Sequence, residues 1–360
     1  AVGRGAVGAA AVTRVLVTGA SGLIGGALAA RLRERGDDVV ALARSDAAAA
    51  ALRAQGFDVV AGDVLDEGAV TAAARSCETV FHVAGVNAFC PPDPALLLRV
   101  NVDGAATVVR AAARAGAGRV VLTSSAAALG EPHGTVGRED APHRGSYMSL
   151  YERSKREGED AAFAAARAGG IDLVAVNPSS VQGPGRAGGT GRILIAYLNG
   201  RLPAFVDTQL SLVDLADCVE GHVLAAERGR PGERYVLSGA TLDALEALAI
   251  VAGLTGVDER PRLLPPAVAT AAAAVVEAGA RLARRRPPIC REMVRTLLHG
   301  HRYDGSRATR ELGLAYTPVR ETLARTIAWA VSEGLVKRPL PAWPTGASPG
   351  SAAGTSKGHR

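Results

Sequence analysis

Apolar residues in the first half of this chain come in short β-branched runs separated by longer stretches with helical spacing. Val15-Leu16-Val17, Asp38 to Ala43, Val59 to Val64, Thr79 to Gly85 and Arg119 to Ser125 each read as a strand, the fourth so continuously apolar that burial on both faces is expected. Between them, Ala27 to Leu32 and the segment from about 94 to 115 place apolar residues on one helical face. A helix is predicted from Tyr151 to about 168 and another after Asp214, which can cap it; Tyr235-Val236-Leu237 reads as a late strand. Strands alternating with helices imply an α/β fold, a doubly wound parallel sheet covered on both faces. Beyond residue 241, Ala- and Leu-rich helices alternate with Pro-Pro breaks at 265–266 and 287–288, which predicts a smaller C-terminal lobe.

The first strand leaves through Thr18-Gly19-Ala20-Ser21-Gly22-Leu23-Ile24-Gly25, with glycine at every third position, and enters a helix. Such a turn gathers backbone N–H groups at a helix N-terminus and lets a pyrophosphate approach where a larger side chain would block it. The spacing is G-x-x-G-x-x-G, not the commoner G-x-G-x-x-G. The second strand ends in Arg44-Ser45-Asp46. An acid there accepts from an adenosine 2′-hydroxyl and an arginine suits a 2′-phosphate, so Arg44 favours NADP(H); NAD(H) stays open if Arg44 is solvated and Asp46 makes the ribose contact. Asp63, closing the third strand, can accept from the adenine amino group, and a helix N-cap role for Asp63 or Asp66 competes with that. His82, in mid-strand, reads as a satisfied core histidine.

With 360 residues, 48% of them hydrophobic, the chain can bury one large domain or two. The net charge of +6 would suit nucleic acid, but the arginines are scattered and aromatics, at 4%, are too few for base stacking. Basicity here serves solubility and anionic cofactors, and no nucleic-acid partner is expected. Cys77, Cys90, Cys218 and Cys290 lie far apart with no C-x-x-C pair, which predicts a reduced, cytoplasmic chain and no metal site. Residues 1–11 are too weakly apolar for a signal sequence, and Glu277 interrupts the Ala267 to Ala280 run, so no membrane span is predicted. The basic run 281–286 closes an Ala-rich helix, either as a solvated end favoured by the helix dipole or as a contact with anionic membrane.

Two hydroxyls, Ser124 and Ser125, end the fifth strand, where a doubly wound sheet opens into its ligand crevice. Tyr151 and Lys155 stand four apart and share one helix face. A cation beside a phenol stabilises the phenolate and lowers its pKa, which fits Tyr151 for proton transfer to a carbonyl oxygen.

Gly19/Gly22/Gly25, Asp63-Val64, Val83-Ala84-Gly85, Asn101, Ser124-Ser125, Tyr151/Lys155 and Asn177-Pro178-Ser179-Ser180 together resemble the extended short-chain dehydrogenases/reductases, the NAD-dependent epimerase/dehydratase family, over residues 13–335. Pro92-Asp93-Pro94, Gly191-Arg192-Ile193 and the segment from Asn199 to Thr208 are similar to dihydroflavonol 4-reductase-like and hopanoid-associated sugar epimerase-like members. The resemblance implies a Rossmann domain over 12–177, to which 206–240 returns, and a substrate lobe from 178–205 and 241–335; tails at 1–11 and 336–360 are expected to be mostly disordered.

It further implies that Tyr151 donates the proton, that Lys155 holds the nicotinamide ribose and tunes Tyr151, and that Ser125 hydrogen-bonds the reacting carbonyl. Gly19, Ser21, Gly22, Leu23, Ile24, Gly25, Arg44, Asp63, Val64, Val83, Ala84, Gly85, Ser124, Tyr151, Lys155, Pro178, Ser179 and Ser180 would hold the cofactor. Asn87, Phe89, Ser125, Tyr147, Met148 and Tyr151 would touch the substrate. Related dehydratases carry an Asp-Glu pair after the catalytic hydroxyl, whereas Ser125 is followed here by Ala126-Ala127. The expected activity is interconversion of a ketone and a secondary alcohol on a fairly apolar small molecule with NADP(H), as in dihydroflavonol 4-reductases or hydroxysteroid dehydrogenases. An NAD-retaining sugar epimerase is the alternative. The apolar stretches Ile193 to Leu198 and Leu202 to Val206 read equally as helix core or substrate lining. Family members often dimerise through the helices near 101–115 and 151–168, so a homodimer is allowed.

Overall fold

The computed structural model describes residues 12–285 and 287–344; the expected tails at 1–11 and 345–360, and Arg286, lie outside them. The β-branched runs form β1 (Arg14–Thr18), β2 (Asp38–Ala43), β3 (Asp58–Ala61), β4 (Thr79–His82), β5 (Arg119–Thr123) and β6 (Asp172–Pro178). Short strands β7 (Ser180–Gln182), β8 (Ala204–Val206) and β9 (Gln209–Asp214) precede β10 (Arg234–Leu237), and β11 (Ala240–Asp243) and β12 (Arg262–Leu264) follow it. The helices are α1 (Leu23–Glu34), α2 (Asp46–Ala54), α3 (Glu67–Ala73), α4 (Pro94–Leu98), α5 (Gly104–Ala115), α6 (Leu150–Gly169), α7 (Thr190–Leu198), α8 (Leu215–Arg228), α9 (Ala244–Thr255), α10 (Pro266–Leu282), α11 (Arg291–His299) and α12 (Val319–Ser332).

Seven strands pair in the order β10-β6-β5-β4-β1-β2-β3, all in parallel register, as in Val15↔Val39 and Val15↔Thr79. Alternate residues serve opposite faces. Val15 and Val17 pack with Leu28, Ala49 and Val219 from α1, α2 and α8, while Leu16 and Val40 pack with Val70, Val108 and Ala162 from α3, α5 and α6. The chain moves outward from β1 to β3 and returns to the other side of β1 at β4, so the ligand crevice opens at the carboxyl ends of β1 and β4.

Asp214 caps α8 as expected, accepting from the Ala216 N–H at 2.7 Å. The helix expected over 94–115 has a π-helical segment, Arg99–Asp103, between α4 and α5. There Asn101 turns inward: its Nδ2 donates to the Val86 carbonyl and to Ser154 Oγ, both at 2.9 Å, and its Oδ1 accepts from the Val86 N–H at 2.7 Å.

In the C-terminal part, Leu194, Tyr197 and Leu198 of α7 bury against Val251 of α9 and Leu323 and Ile327 of α12, with Leu202 packed beside them. These residues of the two apolar stretches are core and do not line a site. Residues 336–344, expected within the tail, also pack: Val336, Leu340 and Trp343 join this cluster, and the Lys337 N–H donates to Asn199 Oδ1 at 2.7 Å. These side chains stand at irregular intervals among Pro339, Pro341 and Pro344, which offer no local period from which to expect this. Among the described residues, no helix is long and apolar enough to cross a membrane.

Candidate active site

The glycine turn shows why each glycine is there. Gly19 sits at φ +75°, and a Cβ on it would lie 2.6 Å from the Ala84 nitrogen, so β1 and the end of β4 meet at this point. A Cβ on Gly25 would stand 2.2 Å from the Gly19 carbonyl oxygen. Gly22 is the N-cap of α1 and supplies no side-chain cap, while Ser21 and Gly22 are exposed and Leu23 and Ile24 half-buried; the first N–H groups of α1 therefore face the crevice without a side-chain partner. This cradle fits a dinucleotide pyrophosphate.

Arg44 is exposed just beyond β2, beside Ser45, which caps α2, and Asp46, which opens it. Asp63 is half-buried and accepts from the Leu65 N–H at 3.0 Å; the cap of α3 is Asp66. Val64 is buried against Gly104, and Val83 and Ala84 are half-buried, with the Ala84 N–H donating to Thr18 Oγ1 at 3.2 Å. His82 is indeed a core histidine, its Nδ1 2.8 Å from Thr18 Oγ1 and its pKa pushed down to about 3 by burial.

Ser149 caps α6, accepting from the Glu152 N–H at 3.0 Å, and this fixes Tyr151 and Lys155 on the first two turns. Lys155 Nζ donates to the Thr123 carbonyl at 2.8 Å, and it lies 3.6 Å from where a Gly85 Cβ would stand. Burial lowers the Lys155 pKa to about 8, against the pull of Glu159. Ser125 hydrogen-bonds the Tyr151 phenol. The expectation that Lys155 lowers the Tyr151 pKa is not met: burial raises it, and the groups that pull it back are the Ser125 hydroxyl and the guanidinium of Arg186.

Ser124 is buried and its Oγ has no hydrogen-bond partner among the described residues; the same holds for Ser179 Oγ. Pro178 ends β6, and Ser180 Oγ pairs with Thr190 Oγ1 at 2.8 Å, turned towards α7. On the substrate side the Phe89 ring lies 6.3 Å from that of Tyr151, while Asn87 is exposed. Met148 is half-buried and hydrogen-bonds through its backbone N–H to Glu152, whereas Tyr147 packs on His143 at 5.2 Å.

The reduced chain expected from cysteine spacing is corrected here. Cys90 and Cys290, 200 residues apart, form a disulfide, while Cys77 and Cys218 are free and buried. Glu292 accepts from the Cys90 N–H at 2.7 Å and also from the Leu150 N–H. One end of α11 thus holds both the loop bearing Phe89 and the start of the helix bearing Tyr151. Only the folded topology brings these segments together, so sequence spacing could not reveal the pair. Glu131, His299 and His301 also place ligand atoms within 4.8 Å of one another, although His301 Nδ1 is engaged by Glu131 at 2.6 Å and by the Tyr303 hydroxyl at 2.9 Å.

A parallel sheet with a glycine turn at its switch point and a tyrosine and lysine one turn apart at its mouth defines a dinucleotide-dependent oxidoreductase. Residues 15–238 match the NAD dependent epimerase/dehydratase family, and the chain belongs to it as an extended short-chain dehydrogenase/reductase. It is 33% identical to a Synechocystis sp. protein named after dihydroflavonol 4-reductase, over 89% of this chain and 95% of that one. It is 34% identical to sterol demethylase protein B of Methylococcus capsulatus, over 89% and 99%. Among solved structures it is similar to MoeE5 in complex with UDP-glucuronic acid and NAD, at 26% identity and a TM-score of 0.69, covering 89% of this chain and 99% of that one.

Proposed function

We propose that this chain is an NADP(H)-dependent oxidoreductase that interconverts a ketone and a secondary alcohol on a fairly apolar small molecule. The observation that carries the reading is the Tyr151 phenol hydrogen-bonded to Ser125 with Phe89 across from it, one helical turn from Lys155. When bound, the nicotinamide supplies or accepts the hydride. Tyr151, kept protonated at neutral pH by burial, gives its proton to the forming alkoxide, and Ser125 holds the same oxygen. Lys155, anchored on Thr123, has donors left for the ribose hydroxyls, and the unpartnered Ser124 and Ser179 hydroxyls are available to the cofactor. Phe89 and Met148 give the substrate an apolar wall.

NADP(H) is preferred because Arg44 is exposed where the adenosine ribose ends. The experiment is a thermal-shift series with NADP⁺ and NAD⁺ on wild-type protein and Arg44→Ala, with release of any bound nucleotide on denaturation. A ligand at a hundred times its Kd adds about 2.7 kcal/mol, enough to shift a melt. NADP⁺ should stabilise more than NAD⁺, and the difference should vanish in Arg44→Ala. Tightly retained NAD would instead favour the sugar epimerase, the reading that the nucleotide-sugar complex of MoeE5 keeps open.

A further inference from the structure

α10 presents an apolar side to solvent. Val268, Ala271, Ala272, Val275, Gly279 and Leu282 fall on one face by helical spacing, and all six are exposed, Val275 by 72% and Leu282 by 90%. The opposite face is the buried one: Ala269 and Ala273 pack against Val206 and Val294, and Glu277 is buried beside them in sequence. A surface helix of a water-soluble fold carries its polar side chains outward, so an exposed stripe about 20 Å long with no charged side chain on it calls for a cover. The basic run that closes the helix adds charge to this face. Arg281 is taken up by Glu277 at 2.6 Å, whereas Arg284 and Arg285 are exposed and make no ion pair among the described residues. Arg192, also exposed, donates to the Pro288 carbonyl at 2.9 Å, which sets a third guanidinium beside the exposed Ile289. From Pro261 to Arg291 the sequence holds one carboxylate, Glu277, and Arg281 and Arg291 occupy it.

We propose that α10 and the turn after it dock on the surface of an anionic lipid bilayer, lying in its interface without crossing it. Val268, Val275, Leu282 and Ile289 enter the boundary between headgroups and acyl chains, and Arg192, Arg284 and Arg285 meet lipid phosphates. Charge decides between a bilayer and a second copy of this chain. A two-fold pairing would set this patch against itself, and the patch holds no free carboxylate to answer its own arginines. An anionic bilayer offers the apolar layer and the negative charge together. Cys290, next to Ile289, is bonded to Cys90 and so adjoins Phe89, which places the docking face at the rim of the candidate site. The docking itself does not rest on the oxidoreductase reading.

The test is co-sedimentation of the full chain with two kinds of vesicle, phosphatidylcholine alone and equal parts phosphatidylcholine and phosphatidylglycerol. Wild type should bind the anionic vesicles and bind the neutral ones far more weakly, and added salt should reduce the anionic binding. The double variant Arg284→Gln/Arg285→Gln should bind the anionic vesicles about 30-fold more weakly, the effect of two basic side chains at a charged surface. Val275→Glu/Leu282→Glu should not bind at all, while melting like wild type because both positions are exposed. Failure of wild type to bind either vesicle overturns the proposal, as does binding that ignores lipid charge. Undiminished binding by Val275→Glu/Leu282→Glu also overturns it, since the arginines would then be adsorbing the protein without α10. Light scattering without vesicles supplies the last outcome: a dimer that Val275→Glu/Leu282→Glu dissociates, in a protein that binds no vesicle, would assign the face to a second copy and overturn the bilayer.

Discussion

At the scale of single residues, the site depends on which protons are held and which can move. Tyr151 carries a phenol whose pKa burial raises and Ser125 moderates, so it stays protonated at neutral pH, as the proposed proton donor must. Tyr151→Phe removes that proton and leaves the glycine turn and Lys155 in place. Turnover should fall by about 10²- to 10⁴-fold, with the NADP⁺ dissociation constant unchanged. Stopped assays with the wild type and the variant side by side check this, and undiminished turnover would remove Tyr151 from the proton path. The tyrosine and the lysine were legible in the sequence because their spacing is a helix-face relation. Arg186 was not, since a lone arginine after Gly-Pro-Gly has the signature of any surface loop; its burial and its missing partner exist only in the folded chain.

At the scale of elements, the decisive joint is between α6 and the π-helical segment at Asn101. Gly158 lies three residues beyond Lys155, and a Cβ on it would stand 2.1 Å from the Asn101 carbonyl oxygen, a contact with backbone that cannot rotate away. Gly158→Ala should therefore push α6 off this segment, costing about 1–3 kcal/mol and displacing Lys155 from Thr123. Melting temperature and NADP⁺ affinity should fall together; a variant that melts and binds like the parent would show that the joint yields freely. The helices and strands themselves were readable from apolar periods, but the π turn was not. It exists because Asn101 satisfies Val86 and Ser154, partners on other elements.

At the scale of the whole molecule, two buried histidines couple folding to pH. Burial lowers His82 to about 3, helped by the charge of Lys155, and lowers His222 to about 4, opposed by its hydrogen bond to the Cys218 carbonyl. Unfolded imidazoles take up protons near pH ~6.5, folded ones only near those lower values, so the unfolded state binds more protons in between. These two residues thus stabilise the fold above pH ~6.5, and their contribution is lost as pH falls towards about 4 and 3. Urea midpoints measured across this range should decline with acid, and His222→Gln, which keeps a partner for Thr123, should flatten the slope; an unchanged slope would remove His222 from the account. The sequence by itself determined the parallel sheet, the glycine turn and the tyrosine–lysine face, because each is written in spacings of a few residues that backbone geometry reads directly. Only the tertiary structure decided that Cys90 meets Cys290, that Leu194, Tyr197 and Leu198 are core, that 336–344 packs, and that Arg186 stands unpaired beside Tyr151. Each of these is a contact between residues distant in the chain, and long-range proximity is set by how the elements pack and leaves no period in the sequence.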